Sequence, residues 1–378
     1  MLSPSAASRW LECTPSPRFE ERFPDNAGEA AAEGTLAHEI GEAFITTPEL
    51  ALHTDVLYND PRYSDNKFLC EDLLEHSCNY AAFVLERFED ARRHTPDAIL
   101  KVEQRIDLTA YAPECFGTGD AVIIADGVLE IIDYKYGKGV RVSAEHNKQM
   151  MMYGLGSLYD VSDFYDIDTV RMTIYQPRLD NISSFEIGAE ELQEWGEKVL
   201  KPTAEKAFAG KGDFKAGNHC KFCRGRNQCK ALADYNLELA KYEFQESCTL
   251  TQDDIADILN RADMFKSWLS GIEDYALQQA LSGVRYPGHK LVEGRSVRMY
   301  KDQDAVAKRL VESGVPEALI YERKLLGITA MEKTITKKKF GEVLSDLVIK
   351  PAGKPTLVPA SDKRAEYNSA AQDFSDLD

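Results

Sequence analysis

Long hydrophobic runs are missing from this sequence of 378 residues. No stretch approaches the roughly 20 apolar residues that a membrane-spanning helix needs. The amino-terminal segment MLSPSAASRWLEC also lacks the continuous apolar core of a secretory signal peptide. These absences exclude the class of integral membrane proteins, and we therefore expect a soluble, cytoplasmic protein with no membrane partner.

An excess of positive charge is missing as well. The chain has 45 Lys and Arg against 63 Asp and Glu, which gives a formal net charge of −18. Such a chain repels phosphate overall, and this argues against broad electrostatic adhesion to nucleic acid. Any contact with nucleic acid must therefore come from a local basic surface.

Two basic stretches near the carboxyl end are candidates for that surface. Residues 283–302 are predicted to form a β-hairpin or ribbon in which two tyrosines are interleaved with cations, and these cations include Arg285, Lys290 and Arg298. A lysine-rich helix is predicted over residues 330–346. Both stretches suit contact with a phosphate backbone. The alternative is a solvated basic face that balances the acidic helices.

Eight cysteines in a chain without a secretion signal indicate metal ligands or reduced thiols rather than disulfides. Three of them, Cys220, Cys223 and Cys229, follow a C-x2-C-x5-C spacing among turn-forming and cationic residues. This spacing predicts a bound metal ion or metal cluster. The fourth ligand would be either the adjoining His219, which suits zinc, or Cys13, about 200 residues upstream.

The apolar content of 43% is enough for one large domain or two ordinary ones. Alternating helix and strand patterns predict an α/β domain over residues 1–232, with a mixed central sheet flanked by helices. A mainly helical accessory domain with the basic ribbon is predicted over residues 233–358. Residues 359–378 are polar and acidic, and we expect a disordered tail there. The main predicted helices cover residues 3–13, 30–46, 65–95, 145–160 and 189–209.

A β-hairpin around Asp126 and Gly127 is predicted at the centre of the first domain. The β-branched runs AVIIA and VLEIIDY flank this Asp-Gly pair, which is the strongest short hairpin signal. Antiparallel pairing would place Asp120 beside Asp133, and the strand period puts Lys135 on the same face as Asp133. Two carboxylates and an ammonium group suit phosphodiester hydrolysis with a divalent metal ion. The alternative is that these groups are solvated charges at strand ends.

Three further polar residues lie on predicted helices. His38 adjoins an apolar helical stripe, where a packed imidazole is the more frequent role. Gln149 and Tyr153 are four residues apart and share one face of their helix, where the alternative is a surface pair with a partly buried tyrosine.

Together these residues resemble the motifs of the PD-(D/E)xK superfamily, and in particular of RecB-type nucleases with an AddB-like iron–sulfur staple. The chain is also similar in arrangement to phage-encoded and CRISPR-associated iron–sulfur exonucleases. Thr14 follows the first cysteine where this family often has proline. The elements, in the family's order, are Cys13 with the distal cysteines, G-x-x-x-H ending at His38, G-x-x-D ending at Asp120, D-x-K from Asp133 to Lys135, and Q-x-x-x-Y from Gln149 to Tyr153.

The resemblance implies a role for each residue. Lys135 would be the catalytic lysine, and Gln149 and Tyr153 would position the substrate strand. Glu103 is a weaker candidate for work at or near the metal. The implied ligands of a catalytic Mg²⁺ or Mn²⁺ are His38, Asp120, Asp133 and the carbonyl of Tyr134. The implied ligands of a [4Fe–4S] cluster, with zinc as the alternative, are Cys13, Cys220, Cys223 and Cys229.

The activity that the resemblance implies is exonucleolytic processing of linear DNA ends in phage-type recombination or replication, in the cytoplasm of a host cell. A single-stranded-DNA-binding or annealing protein is the partner implied by analogy. Three alternatives stay open: a non-catalytic DNA-end-binding or scaffold protein, a zinc-ribbon adaptor and a structure-specific endonuclease. The presence of His38, Asp120, Asp133 and Lys135 together disfavours a chain that has lost catalysis.

Overall fold

The computed structural model describes residues 2–24, 29–238, 250–292, 301–321, 325–344 and 347–349. The chain forms two compact units, Met1–Ala276 and Leu277–Asp378. The domain limits predicted near residues 232 and 358 stay a prediction.

The first unit is built on a five-stranded sheet with the strand order β1-β2-β3-β4-β5. β3 and β4 run parallel, and the other three neighbouring pairs are antiparallel. The predicted α/β class, a mixed sheet flanked by helices, is confirmed. The strands are β1 (Ile99–Asp107), β2 (Phe116–Ala125), β3 (Gly127–Tyr134), β4 (Ile167–Gln176) and β5 (Asn181–Gly188).

Helices cover both faces of this sheet. Val122 and Ile131 point to one face, and Ala121 and Ile132, their neighbours in sequence, point to the other. Because both faces are buried, β2 and β3 are continuous apolar runs rather than alternating ones. The helices of this unit are α1 (Ala7–Trp10), α2 (Ser16–Glu20), α3 (Glu29–Thr46), α4 (Glu71–His94), α5 (Lys148–Val161), α6 (Ala189–Trp195), α7 (Lys201–Phe208), α8 (Lys230–Leu237) and α9 (Gln252–Leu281), the last of which contains the division between the units.

The hairpin predicted at Asp126 and Gly127 is present between β2 and β3. Ala125 pairs with Val128, so Asp126 and Gly127 between them form the turn. Gly127 has a φ of +80°, a conformation that glycine adopts without steric strain. The turn fixes the register that brings the far ends of β2 and β3 together.

Several element boundaries differ from the prediction. The helix expected from residue 65 begins at Glu71, because the Asn66 side chain accepts a hydrogen bond from Phe68 N at 3.1 Å and forms a local turn instead. The first helix starts with a 3₁₀ turn at Pro4, and neither Ser3 nor Ser5 caps it with its side chain. The helix predicted over residues 189–209 contains a π-helical turn at Gly196–Leu200.

In the second unit, the regular secondary structure that is described consists of helices. Residues 284–292 contain no strand, so the first part of the predicted ribbon is not a strand; residues 293–300 and the predicted tail lie outside the described residues. Within the described part of the chain, no helix is long and apolar enough to cross a membrane. The helices of this unit are α10 (Gln303–Glu312), α11 (Glu317–Ile320), α12 (Ile328–Ile335) and α13 (Lys337–Leu344).

Close packing of α5 against β1 makes a stability prediction for Gly156. A methyl group on Gly156 would meet Ile106 Cγ2 at 2.4 Å and the backbone oxygen of Asp107 at 2.9 Å. Overpacking should therefore outweigh the helix propensity of alanine, and we expect Gly156→Ala to lower the free energy of unfolding by about 1–3 kcal/mol. Gly34→Ala in α3, where no atom lies within 4 Å, is the matched control and should raise it by about 0.8–1 kcal/mol. Chemical denaturation of both variants measures the contrast, and an equal effect of the two substitutions would contradict it.

Candidate active site

The polar residues singled out in the sequence meet at the open end of the β2–β3 hairpin, opposite its turn. Asp120 lies on β2 and is 8% exposed, and Asp133 lies near the end of β3 and is 2% exposed. α3 brings His38 to this edge, and α5 brings Gln149 and Tyr153 from the other face of the sheet. The site is therefore assembled on the β2–β3 hairpin by two helices, α3 and α5, that are distant from each other in sequence.

One half of the site is a group of three possible metal ligands. His38 Nδ1 lies 3.2 Å from Asp120 Oδ1 and 3.8 Å from Glu103 Oε1. One ligand atom from each of the three residues fits within 4.8 Å of the others, and in the described ranges this is the one group of three or more His, Cys, Asp and Glu residues that does so. Asp133 is not part of this group.

Glu103 enters this group through an unusual backbone conformation. The register of β1 against β2 continues on both sides of Glu103, so this residue stands opposite Asp120. Its φ is +48°, in the left-handed region, and no other described strand residue except glycine has a positive φ. Such a conformation costs about 1–3 kcal/mol, and residues of this kind cluster at functional sites. The strain supports a functional role for Glu103, which the sequence had given only as a weaker candidate.

The protonation of this half reflects a concentration of negative charge. Burial and the nearby charge of Asp133 raise the pKa of Asp120 above its usual range, against the lowering effect of His38. Burial lowers the pKa of His38, but hydrogen bonds to Asp120 and Glu103 outweigh it and raise that pKa to about 10. The His38 imidazole is therefore protonated, and its positive charge offsets the negative charge of the carboxylates around it.

The other half of the site is a hydrogen-bonded chain around Lys135. The Lys135 ammonium donates to Asp133 Oδ1 at 2.9 Å and to Gln149 Oε1 at 3.3 Å. The Gln149 amide donates to Asp133 Oδ1 at 3.3 Å and to the Tyr153 hydroxyl at 3.1 Å. Burial lowers the pKa of Lys135, but the charges of Asp133 and Asp120 outweigh it, and the net shift is upward. The lysine is thus held as a cation in one position.

Asp120 joins the two halves. Its Oδ2 accepts a hydrogen bond from the backbone N–H of Tyr134 at 2.6 Å, while its Oδ1 faces His38. The ring of Tyr134 stacks on Tyr80 at 4.3 Å between centroids, and its hydroxyl lies 3.2 Å from Ser77 Oγ. The backbone of β3 at this point is therefore fixed by packing on α4. The predicted role of the Tyr134 carbonyl stays a prediction.

These residues suit a divalent metal ion by their chemistry. Three carboxylates, an imidazole and an ammonium group lie at one edge of the sheet, so negative charge exceeds positive charge when the imidazole is neutral. Carboxylate oxygens are the ligands that Mg²⁺ and Mn²⁺ prefer. A cation at His38, Glu103 and Asp120 would replace the proton that the imidazole now holds.

Cys13 and the three distal cysteines line a small cavity. Cys13, Cys220, Cys223 and Cys229 surround it together with His219. Burial raises the pKa of Cys13 and of Cys220, and it raises that of Cys223 to about 12. In the described part of the chain, no three of these sulfur atoms lie within 4.8 Å of one another. The four cysteine side chains thus line one cavity. The metal-binding role predicted for them stays a prediction.

Polar contacts also tie the amino-terminal segment to the cysteine-bearing segment. Arg9 Nε donates to Glu20 Oε2 at 2.9 Å, and its Nη1 donates to the carbonyl of Phe222 at 3.2 Å. Glu20 Oε1 accepts a hydrogen bond from Arg224 N at 2.7 Å. Thr14 Oγ1 donates to the carbonyl of Lys211 at 2.6 Å. These contacts join the segment that contains Cys13 to the segment that contains the distal cysteines.

The predicted cationic substrate contacts are not brought to this site by any described contact. Arg285 and Lys290 are exposed residues of the second unit. Arg298 lies outside the described residues. Their predicted role in binding substrate stays a prediction.

The fold and the site define an α/β protein in which a group of histidine, glutamate and aspartate could bind a metal ion beside a buried lysine. A family model described as "Protein of unknown function (DUF2800)" matches residues 1–365, and the chain belongs to this family. Among solved structures, the chain is similar to a protein from Eubacterium rectale described as "Putative exonuclease", with 9% identity, 67% of this chain and 91% of that chain covered, and a TM-score of 0.31. It is also similar to the protein SSO0001, with 17% identity, 45% of this chain and 79% of that chain covered, and a TM-score of 0.25. These TM-scores are too low to carry an argument, so the proposals below rest on the residues of this chain.

Proposed function

We propose that this protein is a metal-dependent deoxyribonuclease of the PD-(D/E)xK type that hydrolyses DNA from its ends. The observation that carries the proposal is the meeting of two groups at one sheet edge. His38, Glu103 and Asp120 can bind one cation together. Lys135 is held beside them by Asp133 and Gln149. Solvated strand ends would leave these groups exposed and separate, whereas Asp120 and Asp133 are buried.

Each residue has a role that follows from its position. His38, Glu103 and Asp120 would hold Mg²⁺ or Mn²⁺, with Asp133 beside them. When bound, the ion would supply a water of lowered pKa and stabilise the charge that develops on the phosphate. The Lys135 ammonium, fixed by Asp133 and Gln149, would orient the attacking water and offset phosphate charge.

Gln149 and Tyr153 lie next to the lysine and would position the substrate strand. They are linked by the hydrogen bond from the Gln149 amide to the Tyr153 hydroxyl, at 3.1 Å. Burial raises the pKa of Tyr153 to about 12, so its hydroxyl stays protonated and can donate a hydrogen bond to a phosphate oxygen. The linear-end specificity and the setting in phage-type recombination or replication follow the resemblance, as does a single-stranded-DNA-binding or annealing partner.

For the cysteine cavity we propose a [4Fe–4S] cluster as a structural staple. A tetrahedral zinc site with Zn–S distances of about 2.3 Å places its sulfur atoms roughly 3.8 Å apart. No three cysteine sulfurs in the described residues lie even within 4.8 Å, which favours the larger cluster. The four thiols that line this cavity are the donor set that such a cluster takes. Zinc bound with His219, which lines the same cavity, is the alternative.

The nuclease proposal is tested by incubating anaerobically purified protein with end-labelled linear and circular DNA, both single- and double-stranded. We expect linear DNA to be degraded from its ends with Mg²⁺ or Mn²⁺ and to stay intact with a chelator. Circular DNA should stay intact in every condition. Nicking of circles would retain the active site but contradict exonuclease action. Complete inertness with the ion bound would instead support a non-catalytic DNA-end-binding or scaffold protein.

A further inference from the structure

The segment around the cysteines is a third basic stretch in an acidic protein. Residues 214–233 contain five lysines and arginines and no aspartate or glutamate, against a net charge of −18 for the whole chain. Three of these cations, Lys221, Arg224 and Arg226, lie close in sequence to Phe222. Because surface charge on the rest of the chain repels phosphate, a patch of this kind is where a nucleic acid would be attracted.

Phe222 stands out among the aromatic residues of this segment. It is 70% exposed, although its neighbours Cys220 and Cys223 line the buried cavity. The Lys221 ammonium lies 5.5 Å from the centre of the Phe222 ring. The carbonyl oxygen of Phe222 accepts the hydrogen bond from Arg9. The backbone is therefore fixed while the ring faces solvent. An exposed ring among cations is the arrangement on which unpaired bases stack.

A polar cavity of about 320 Å³ lies beside Phe222. Ser3, Ser5, Arg9 and Arg224 line it along with Phe222. Two carboxylates also line the cavity, and both are paired: Glu20 with Arg9 at 2.9 Å, and Glu21 with Arg18 at 2.7 Å. The acidic groups of the cavity are thus neutralised locally, and they do not exclude an anionic ligand.

The amino-terminal turn that lines this cavity also packs beside a residue of the candidate active site. A methyl group on Gly117 would meet Tyr153 Cε1 at 2.6 Å and Pro4 Cγ at 3.0 Å, so the tyrosine and the proline pack side by side on the same stretch of β2. Pro4 stands between Ser3 and Ser5, which line the cavity. The indole N–H of Trp10 donates to the Ser3 carbonyl at 3.0 Å and fixes this turn. The turn that carries Ser3 and Ser5 therefore connects the packing around Tyr153 with the cavity beside Phe222.

We propose that a single strand of DNA runs from the candidate active site at Tyr153 across the turn at Ser3 and Ser5 and stacks a base on Phe222. Lys221 and Arg224 contact its phosphates. A base in a duplex is already stacked and paired, so Phe222 selects an unpaired strand. This inference rests on the proposed nuclease function, because it extends the path of the strand from that site.

The test is binding of fluorescent oligothymidylates of about 4 to about 16 nucleotides to the full chain, measured by anisotropy with a chelator present to prevent cleavage. Phe222→Ala should weaken binding of the longer strands by about 5- to 100-fold, which is the effect of one lost base stack. It should leave unchanged the binding of strands too short to reach from Tyr153 to Phe222. Arg224→Ala should reduce the dependence of binding on salt by about one phosphate contact.

Matched variants separate stacking from general damage. Phe222→Tyr retains an aromatic ring and should bind like the wild type, while Phe222→Leu should bind as weakly as Phe222→Ala. Phe164→Ala, which removes a ring that is 82% exposed elsewhere, should have no effect. The same holds for Arg93→Ala at the end of α4. Metal content is measured for each variant, because Phe222 adjoins Cys223.

The outcomes distinguish this proposal from the nuclease proposal. If Phe222→Ala binds strands of every length as tightly as the wild type, or if Phe164→Ala weakens binding equally, the strand path is wrong, whatever the protein cleaves. If the wild type cleaves no DNA but its binding of long strands depends on Phe222, the nuclease proposal fails and the single-strand surface remains. If both hold, Phe222→Ala should raise KM for long strands and leave kcat unchanged.

Discussion

Asparagine in place of Asp120, or methionine in place of Lys135, is expected to lower the rate of DNA cleavage by at least about 10²- to 10⁴-fold. Asp120 faces His38 and accepts the Tyr134 N–H, so its replacement removes a charged ligand from the group of three. Lys135→Met removes the ammonium that Asp133 and Gln149 hold. The measurement is single-turnover cleavage of end-labelled DNA at saturating Mg²⁺ or Mn²⁺, with the helical content of each variant checked by circular dichroism.

Glu130→Gln is the matched control for Asp120→Asn. Glu130 is also a buried carboxylate of the hairpin, but it binds Arg87 at 2.9 Å and Arg171 at 3.5 Å rather than the site. Its replacement should lower the free energy of unfolding by about 1–3 kcal/mol and leave cleavage at low temperature near the wild-type rate. Cleavage by Asp120→Asn at the wild-type rate would contradict the proposed catalytic site. So would a decrease in the cleavage rate of Glu130→Gln as large as that of Asp120→Asn.

From the iron–sulfur proposal we expect that alanine in place of Cys223 removes the iron and lowers the free energy of unfolding by about 4–5 kcal/mol. The estimate follows from a crosslink that closes a loop of roughly 200 residues between Cys13 and Cys220, by analogy with a long disulfide loop. The protein should lose its brown visible absorption at the same time. Elemental analysis, absorption spectra and chemical denaturation under anaerobic conditions measure the three effects.

Cys115→Ala provides the control for the loss of a buried thiol. Cys115 is fully buried in the core, does not line the cysteine cavity, and has a pKa raised to about 12 by burial. Its replacement should lower stability only slightly and leave the iron content unchanged. A colourless, folded wild-type protein that contains zinc would overturn the iron–sulfur proposal, and loss of that zinc in His219→Ala would then identify the fourth ligand.

Much of the candidate site could be predicted because its signals are local. The Asp-Gly turn sets the register of the hairpin by itself, and that register decides that Asp120 and Asp133 are neighbours. Helical spacing similarly decides that Gln149 and Tyr153 lie on one face. These predictions need only a few consecutive residues and the period of a strand or helix.

Glu103 shows where local signals end. In sequence it is one charged residue of an ordinary strand, KVEQRID, and nothing in that strand indicates a positive φ. The conformation persists because β2 holds the strand on both sides and brings Asp120 and His38 opposite. The ion pairs of Glu130 could likewise not be predicted from the apolar run in which it lies. Its partners, Arg87 and Arg171, come from α4 and β4.

The sequence by itself determined the hairpin, the helical pairs, the α/β class and the spacing of the distal cysteines, because each depends on residues close together in the chain. Only the tertiary structure decided that Glu103 joins His38 and Asp120, that Cys13 lies beside the distal cysteines, and that Phe222 is exposed near the amino-terminal turn. These arrangements join segments up to about 200 residues apart. They depend on which faces of the helices and strands are buried against each other, and that is a property of the whole packed core.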